Sequence, residues 1–292
     1  MIDVQEYPAV WLQMSGCSGC SVSVLNTVAP SIRNVLVDEL VPGKHVNLRF
    51  HPTIMAGSGE PAVDVLLGGL PQKGYLLICE GAVPTKDGGA YGGVGELGGK
   101  HLSMHEKTLD LARDAMAVLA VGTCASFGGI PSGRPNPSGA KSVQAVLEEA
   151  GIDVPVVNIP GCPPHPDWFV GTVVGILLRG LPRPDDLDEL GRPLVYYGKL
   201  VHENCPRRAD FDAGKFAQHP GQPGCLYELG CKGPMTYADC ATRQWNDGQN
   251  WCVGAGNPCL GCVEPFFPDG FDPMYKKISE ERLKRFVVSS KE

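Results

Sequence analysis

Seven of the 12 cysteines in this 292-residue chain fall between Cys205 and Cys262, and a histidine opens the run. The order is His202-x-x-Cys205, then Cys225, Cys231, Cys240, Cys252 and Cys259-x-x-Cys262. A structural zinc ion takes four ligands, usually as a compact pair of pairs. The donors here are twice as many, unevenly spaced, in a stretch rich in Gly, Pro and Asn. Such a segment folds most readily around inorganic clusters, and iron–sulfur is the leading candidate.

The length suits one large domain or two ordinary ones. A hydrophobic fraction of 43% supports a substantial core. The net charge of -7 offers no basic face to nucleic acid or acidic lipid. With 38 Gly and 26 Pro and no period, many turns and much irregular backbone are expected rather than collagen. The first residues show no basic n-region, no twin arginine and no long apolar run. On that reading the chain is soluble and cytoplasmic; the alternative is a periplasmic protein whose twin-arginine leader has been removed. No transmembrane segment is expected, because no apolar run is long enough to cross a bilayer.

Before the cysteine run, apolar stretches at 10–14, 46–50, 75–79, 117–121 and 154–159 read as buried strands. Helical patterns at 25–37, 61–70, 103–115 and 141–150 lie between them, and 166–178 follows the last. Pro166 suits a first helical turn, with Asp167 complementing the dipole. This alternation predicts an α/β fold, a parallel sheet with helices on both faces. It stops at a Pro-containing link, which places the domain boundary between 1–185 and 186–292. The second domain is expected to be irregular, with few short helices and a solvated helix over 276–292.

Ligands of open α/β sheets bind beyond the carboxyl ends of the strands. Ser15-Gly-Cys17-Ser-Gly-Cys20 follows the first strand, Gly122-Thr-Cys124 the fourth, and Pro160-Gly-Cys162-Pro-Pro the fifth. Cys17-x-x-Cys20 alone could be a redox pair, half a zinc site or a cluster corner. Cys124 or Cys162 alone would be a small buried hydrophobe. Four cysteines converging from three glycine- or proline-flanked loops favour a cluster. In the second domain, His202, Cys205, Cys225 and Cys231 make one set of four, and Cys240, Cys252, Cys259 and Cys262 another. Each suits one cubane. An imidazole in place of a thiolate removes a negative charge, which raises the potential of the first set. Cys79, inside an apolar strand, reads as an inert thiol. His45, His51, His101 and His105 have no metal-ligand spacing. No dinucleotide or Walker loop and no catalytic triad is present.

Taken in order, these motifs resemble the small, electron-transferring subunit of a [NiFe] hydrogenase. The match continues through His202-Glu-Asn-Cys205-Pro, Pro223-Gly-Cys225, Leu229-Gly-Cys231-Lys-Gly-Pro234 and Asn250-Trp-Cys252 to Cys259-Leu-Gly-Cys262, over nearly the whole chain. The resemblance implies a flavodoxin-like first domain holding a proximal [4Fe-4S] cluster on Cys17, Cys20, Cys124 and Cys162. The distal [4Fe-4S] cluster would use His202, Cys205, Cys225 and Cys231. The medial cluster would use Cys240, Cys259 and Cys262. Many relatives have proline where this chain has Cys252, and their medial cluster is [3Fe-4S]. Cys252 restores a fourth thiolate, so three [4Fe-4S] clusters are expected. That trait and Tyr237-Ala-Asp-Cys240 resemble the [NiFeSe] branch.

The resemblance also implies a large-subunit partner that carries the Ni-Fe centre, with no nickel in this chain, and an electron acceptor or donor such as a cytochrome or ferredoxin. Some oxygen-tolerant relatives add cysteines where this chain has Gly19 and Gly129, so an ordinary proximal cubane is expected. The alternatives are a hydrogen-sensing hydrogenase, an electron-transfer subunit of another redox complex such as a quinone reductase, or a zinc scaffold. Resemblance to a quinone reductase would cover only the first domain.

Overall fold

In a computed structural model, which describes residues 4–68, 73–279 and 281, five parallel strands form the main sheet. They are β1 (Gln5–Gln13), β2 (Lys44–Phe50), β3 (Tyr75–Glu80), β4 (Ala115–Val121) and β5 (Val156–Ile159). The spatial order is β2-β1-β3-β4-β5, and every neighbouring pair is parallel. This is the strand order of flavodoxin-like folds, with its topological switch between β1 and β3. β3 lies at the centre and all six of its residues are buried. A strand covered on both faces needs a continuous apolar run, which Tyr75-Leu-Leu-Ile-Cys79 supplies. Glu80 ends it as a buried carboxylate.

The helices that matter for the site are α1 (Gly19–Leu25), α2 (Glu60–Gly68), α3 (Met104–Ala112), α4 (Thr123–Phe127), α5 (Val143–Glu149) and α6 (Pro166–Arg179). Ser103 and Ser142 cap α3 and α5, accepting from the N–H groups of Glu106 and Ala145. Pro166 opens α6, and the His165 side chain accepts from the Asp167 N–H at 3.1 Å. One sheet-side core joins Val10, Leu12, Leu77, Val118 and Ala120 to Leu66, Leu111 and Leu147.

The helix expected over 25–37 is instead two pieces, Gly19–Leu25 and Ile32–Leu36. Pro30 removes a backbone donor, and Ser31 starts the second piece by accepting from the Asn34 N–H. The far end of the helix expected over 61–70 lies outside the described residues, as does most of the one expected over 276–292.

The chain divides into two compact units, Met1–Tyr196 with Val263–Pro265, and Tyr197–Cys262 with Phe266–Glu292. The second is irregular. Its described residues hold short helices at Arg208–Asp212 and Cys240–Arg243, and isolated bridges such as Leu200–Tyr237. Phe267, Phe271 and Ile278 form a small apolar cluster in it.

Candidate iron–sulfur sites

The parallel sheet sends the carboxyl ends of β1, β3, β4 and β5 to one edge. Cys17 and Cys20 follow β1, Cys124 lies in α4 directly after β4, and Cys162 lies just beyond β5. Their thiols feel one another. Burial pushes the Cys20 thiol far above its ordinary value, and negative charge on Glu80, Cys124, Cys17 and Cys162 pushes it further. Burial likewise raises Cys124 to about 11, and Cys162 is raised by burial and by Cys17. Four mutually repelling thiolates need a cationic core between them, which irons supply.

Close backbone approach makes room for this set. Gly122, between β4 and α4, has φ 88°, and a Cβ there would collide with the Cys20 Sγ. Gly129 has φ 52°, and a Cβ would lie 2.8 Å from the Cys124 N and 3.0 Å from its Sγ. Both positions therefore favour glycine for two independent reasons.

A carboxylate at this edge escaped the reading of motifs. Glu80 Oε1 accepts from the N–H groups of Cys20 at 3.0 Å and Ser21 at 3.1 Å. Its Oε2 accepts from Trp11 Nε1 at 2.9 Å and Gln13 Nε2 at 3.0 Å, and from the Ser21 hydroxyl. The His51 Nδ1 accepts from the Thr53 N–H, which leaves the proton on Nε2, 3.1 Å from Ser21 Oγ. His51 is thus a buried member of the network that orients Glu80, not a surface residue. Burial holds its imidazole below the ordinary histidine value, with Glu80 opposing. Glu80 in turn satisfies the first free N–H groups of α1. The sequence signal was a carboxylate ending an otherwise apolar central strand.

In the second unit, His202, Cys205, Cys225 and Cys231 line one small pocket with Leu226 and Val253. Burial raises the thiols of Cys205, Cys225 and Cys231, and Cys231 also feels Cys225 and Cys205. The His202 ring stands edge-on to Phe211 at 4.5 Å. Its Nε2 is buried without a hydrogen-bond partner. Burial, then Arg208, hold the imidazole below its ordinary value, against the pull of Asp212. It is therefore neutral at pH 7, the form that donates a lone pair to a metal.

In the other set Cys252 is exposed, and Cys240, Cys259 and Cys262 are half-buried. Burial raises Cys240 well above its ordinary value, followed by the charges of Cys262, Cys259 and Cys252. Cys259 is raised by burial and then by Cys231 and Cys262. The structure thus brings Cys252 together with Cys240, Cys259 and Cys262. The two sets also touch: the Cys259 N–H donates to the Cys231 Sγ at 3.4 Å. Cys79 stands apart, fully buried in β3, with burial raising its thiol to about 12.

Among the described residues, no three His, Cys, Asp or Glu side chains come close enough to hold a single metal ion. Four thiolates on one zinc lie about 4 Å apart. In a cubane each thiolate binds its own iron, so the donors stand further apart. The donor sets offer the soft thiolate and imidazole ligands that iron–sulfur clusters take.

A flavodoxin-like sheet whose strand ends gather four thiols, followed by an irregular unit with two further donor sets, defines an iron–sulfur electron-transfer protein. Comparison with known proteins gives the family. Residues 197–275 match the model for the C-terminal part of the NiFe/NiFeSe hydrogenase small subunit, and residues 17–176 match that of the NADH ubiquinone oxidoreductase 20 Kd subunit. The chain is 47% identical over 284 residues to the periplasmic [NiFeSe] hydrogenase small subunit of Desulfomicrobium baculatum, covering 93% of this chain and 87% of that one. It is 43% identical to the periplasmic [NiFe] hydrogenase small subunit of Solidesulfovibrio fructosivorans, covering 92% and 81%. The solved [NiFeSe] hydrogenase of Desulfovibrio vulgaris Hildenborough aligns with a TM-score of 0.88 at 45% identity, over 94% of this chain and 99% of that one. The chain belongs to the family of NiFe/NiFeSe hydrogenase small subunits.

A small subunit pairs with a large subunit that holds the hydrogen-activating site, and this chain is the electron-transfer half of such an oxidoreductase. The quinone-reductase likeness stops at residue 176, within the first unit. No described helix is long and apolar enough to cross a membrane. The cytoplasmic expectation is overturned, because similar small subunits are periplasmic. An export leader is cut away after use, so the first residues of a chain are a poor guide to its address.

Proposed function

We propose that this chain conducts electrons through three [4Fe-4S] clusters between the Ni-Fe centre of its large subunit and an external carrier such as a cytochrome or ferredoxin. Cys17, Cys20, Cys124 and Cys162 would hold the proximal cluster. Cys240, Cys252, Cys259 and Cys262 would hold the medial one, and His202, Cys205, Cys225 and Cys231 the distal one. When bound, the clusters supply reversible one-electron steps. The protein's residues space them, exclude water and direct N–H groups at their sulfurs. The observation that carries this reading is the grouping of the twelve donors into three sets of four, one in the first unit and two in the second.

The proximal edge is proposed to face the large subunit. Cys17 and Cys162 are exposed in the isolated chain, as are Val22 and Leu25 of α1. The names of its relatives support a periplasmic enzyme. Cys252 completes the medial set, which supports [4Fe-4S] there over [3Fe-4S]. In the purified heterodimer, iron should come to about thirteen per small subunit, twelve in the clusters and one in the Ni-Fe centre, with about twelve acid-labile sulfides. An EPR spectrum of the oxidised complex should lack a stoichiometric [3Fe-4S] signal, and Cys252→Pro should create one. Zinc in place of iron would overturn the reading, and a stoichiometric [3Fe-4S] signal in the natural protein would overturn the medial assignment.

A further inference from the structure

One residue of the second unit joins two donor sets through its backbone, and its side chain belongs to neither. Lys232 is 1% exposed. Its Nζ donates to the Gly230 O at 2.6 Å, the Met274 O at 2.9 Å and the Lys276 O at 3.0 Å. An ammonium has three protons and no lone pair, so three carbonyls around one nitrogen match the charged form. A neutral amine would aim its lone pair at one of those oxygens. Burying such a charge is costly unless negative charge is nearby.

The backbone around Lys232 joins the two sets. Cys231 immediately precedes it. The Lys232 N–H donates to the Cys259 O at 2.7 Å, and the Cys259 N–H donates back to the Cys231 Sγ at 3.4 Å. The Thr236 hydroxyl donates to the Lys232 O at 2.7 Å and lies 3.8 Å from the Cys259 Sγ. Lys232 is therefore one covalent step from a donor of the first set and one hydrogen bond from a donor of the second. Its carbonyl cage also ties the 230–232 turn to the 274–276 segment, which fixes that turn in place.

We propose that Lys232 is a positioning residue that raises the reduction potentials of the medial and distal clusters together. This rests on the three-cluster reading above. Each cluster gains one negative charge on reduction. A fixed cation in a dry setting stabilises the reduced form more than the oxidised form, so it raises the potential. An ammonium within one side chain's length of a backbone that joins both donor sets acts on both potentials in the same direction, which keeps them matched for transfer in either direction. The proximal cluster, held by the other unit's cysteines, serves as the internal reference.

The test uses the intact heterodimer with Lys232→Gln and Lys232→Arg. Both replacements can donate to the carbonyl cage, but only arginine keeps the charge. EPR-monitored redox titration reads the midpoint potentials, and iron analysis reads loading. The expected result is that K232Q lowers the medial and distal midpoints, leaves the proximal midpoint in place, and that K232R keeps all three. Iron loss confined to K232Q would also support the charge role. Unchanged midpoints in a fully loaded K232Q would overturn it. So would equal shifts or equal iron loss in both variants, which would assign Lys232 to packing alone. A natural heterodimer without about twelve cluster irons, besides the one of the Ni-Fe centre, would instead refute the three-cluster reading, independently of either variant.

Discussion

Gly122 shows how finely single residues are constrained at the proximal edge. Its φ of 88° is unfavourable for any side chain, and its missing Cβ leaves the space in which the Cys20 Sγ lies. Gly122→Ala should therefore displace Cys20 and cost the complex about four irons, one cubane's worth, with the rest retained. Full loading of the variant, by iron analysis, would refute that account. His51 makes a second residue-level case. Burial lowers its folded value below the unfolded 6.5. In the window below 6.5 the unfolded chain binds more protons than the folded chain, so folding weakens as pH falls. The contribution is complete above 6.5 and is lost as pH drops below it. The thermal midpoint of the heterodimer should fall on acidification, and His51→Gln should remove part of that slope. Identical slopes for the two proteins would show that His51 contributes nothing to it.

At the scale of elements, the five strands were legible because a parallel sheet covered on both faces demands continuous apolar runs. Leu76, Leu77 and Val118 to Val121 are all fully buried, as such runs require. The start of α1 was not legible. Nothing local marks Gly19 as a helix beginning, since Ser18 has φ 62° and makes no side-chain cap. The cap comes from Glu80, sixty residues away in sequence, whose Oε1 accepts from the N–H groups of Cys20 and Ser21. A tertiary acceptor does there what a capping side chain does elsewhere. α3 is the contrasting case, with the Ser103 hydroxyl accepting from the Glu106 N–H at 3.0 Å. Ser103→Ala should cost about 1 kcal/mol, read as a lower urea midpoint with cluster content unchanged. A variant as stable as the natural protein would show that the cap is replaced by another acceptor.

At the scale of the whole molecule, the grouping of the thiols was legible because cysteines in Gly/Pro-flanked loops are few and chemically distinctive. The charged residues packed beside them were not. Glu80 and Lys232 are ordinary charged residues in sequence, and only their exposures of 3% and 1% in the fold set them apart. His202 stands between these cases, since its two-residue spacing to Cys205 suggested a ligand that geometry alone could orient. Phe211 fixes its ring, and burial keeps it neutral. If the proposed order of clusters holds, His202 acts where electrons leave the protein, and the large subunit's own chemistry does not depend on it. His202→Leu should then slow reduction of an external carrier by about tenfold or more, the scale of losses when a site's supporting donors are removed. Hydrogen–deuterium exchange, which needs only the large subunit's centre, should stay near that of the natural enzyme. Both rates can be measured on one preparation, so poor assembly would lower them together and be recognised. Equal loss in the two assays, in a complex with full nickel and proximal-cluster signals, would place His202 away from the exit.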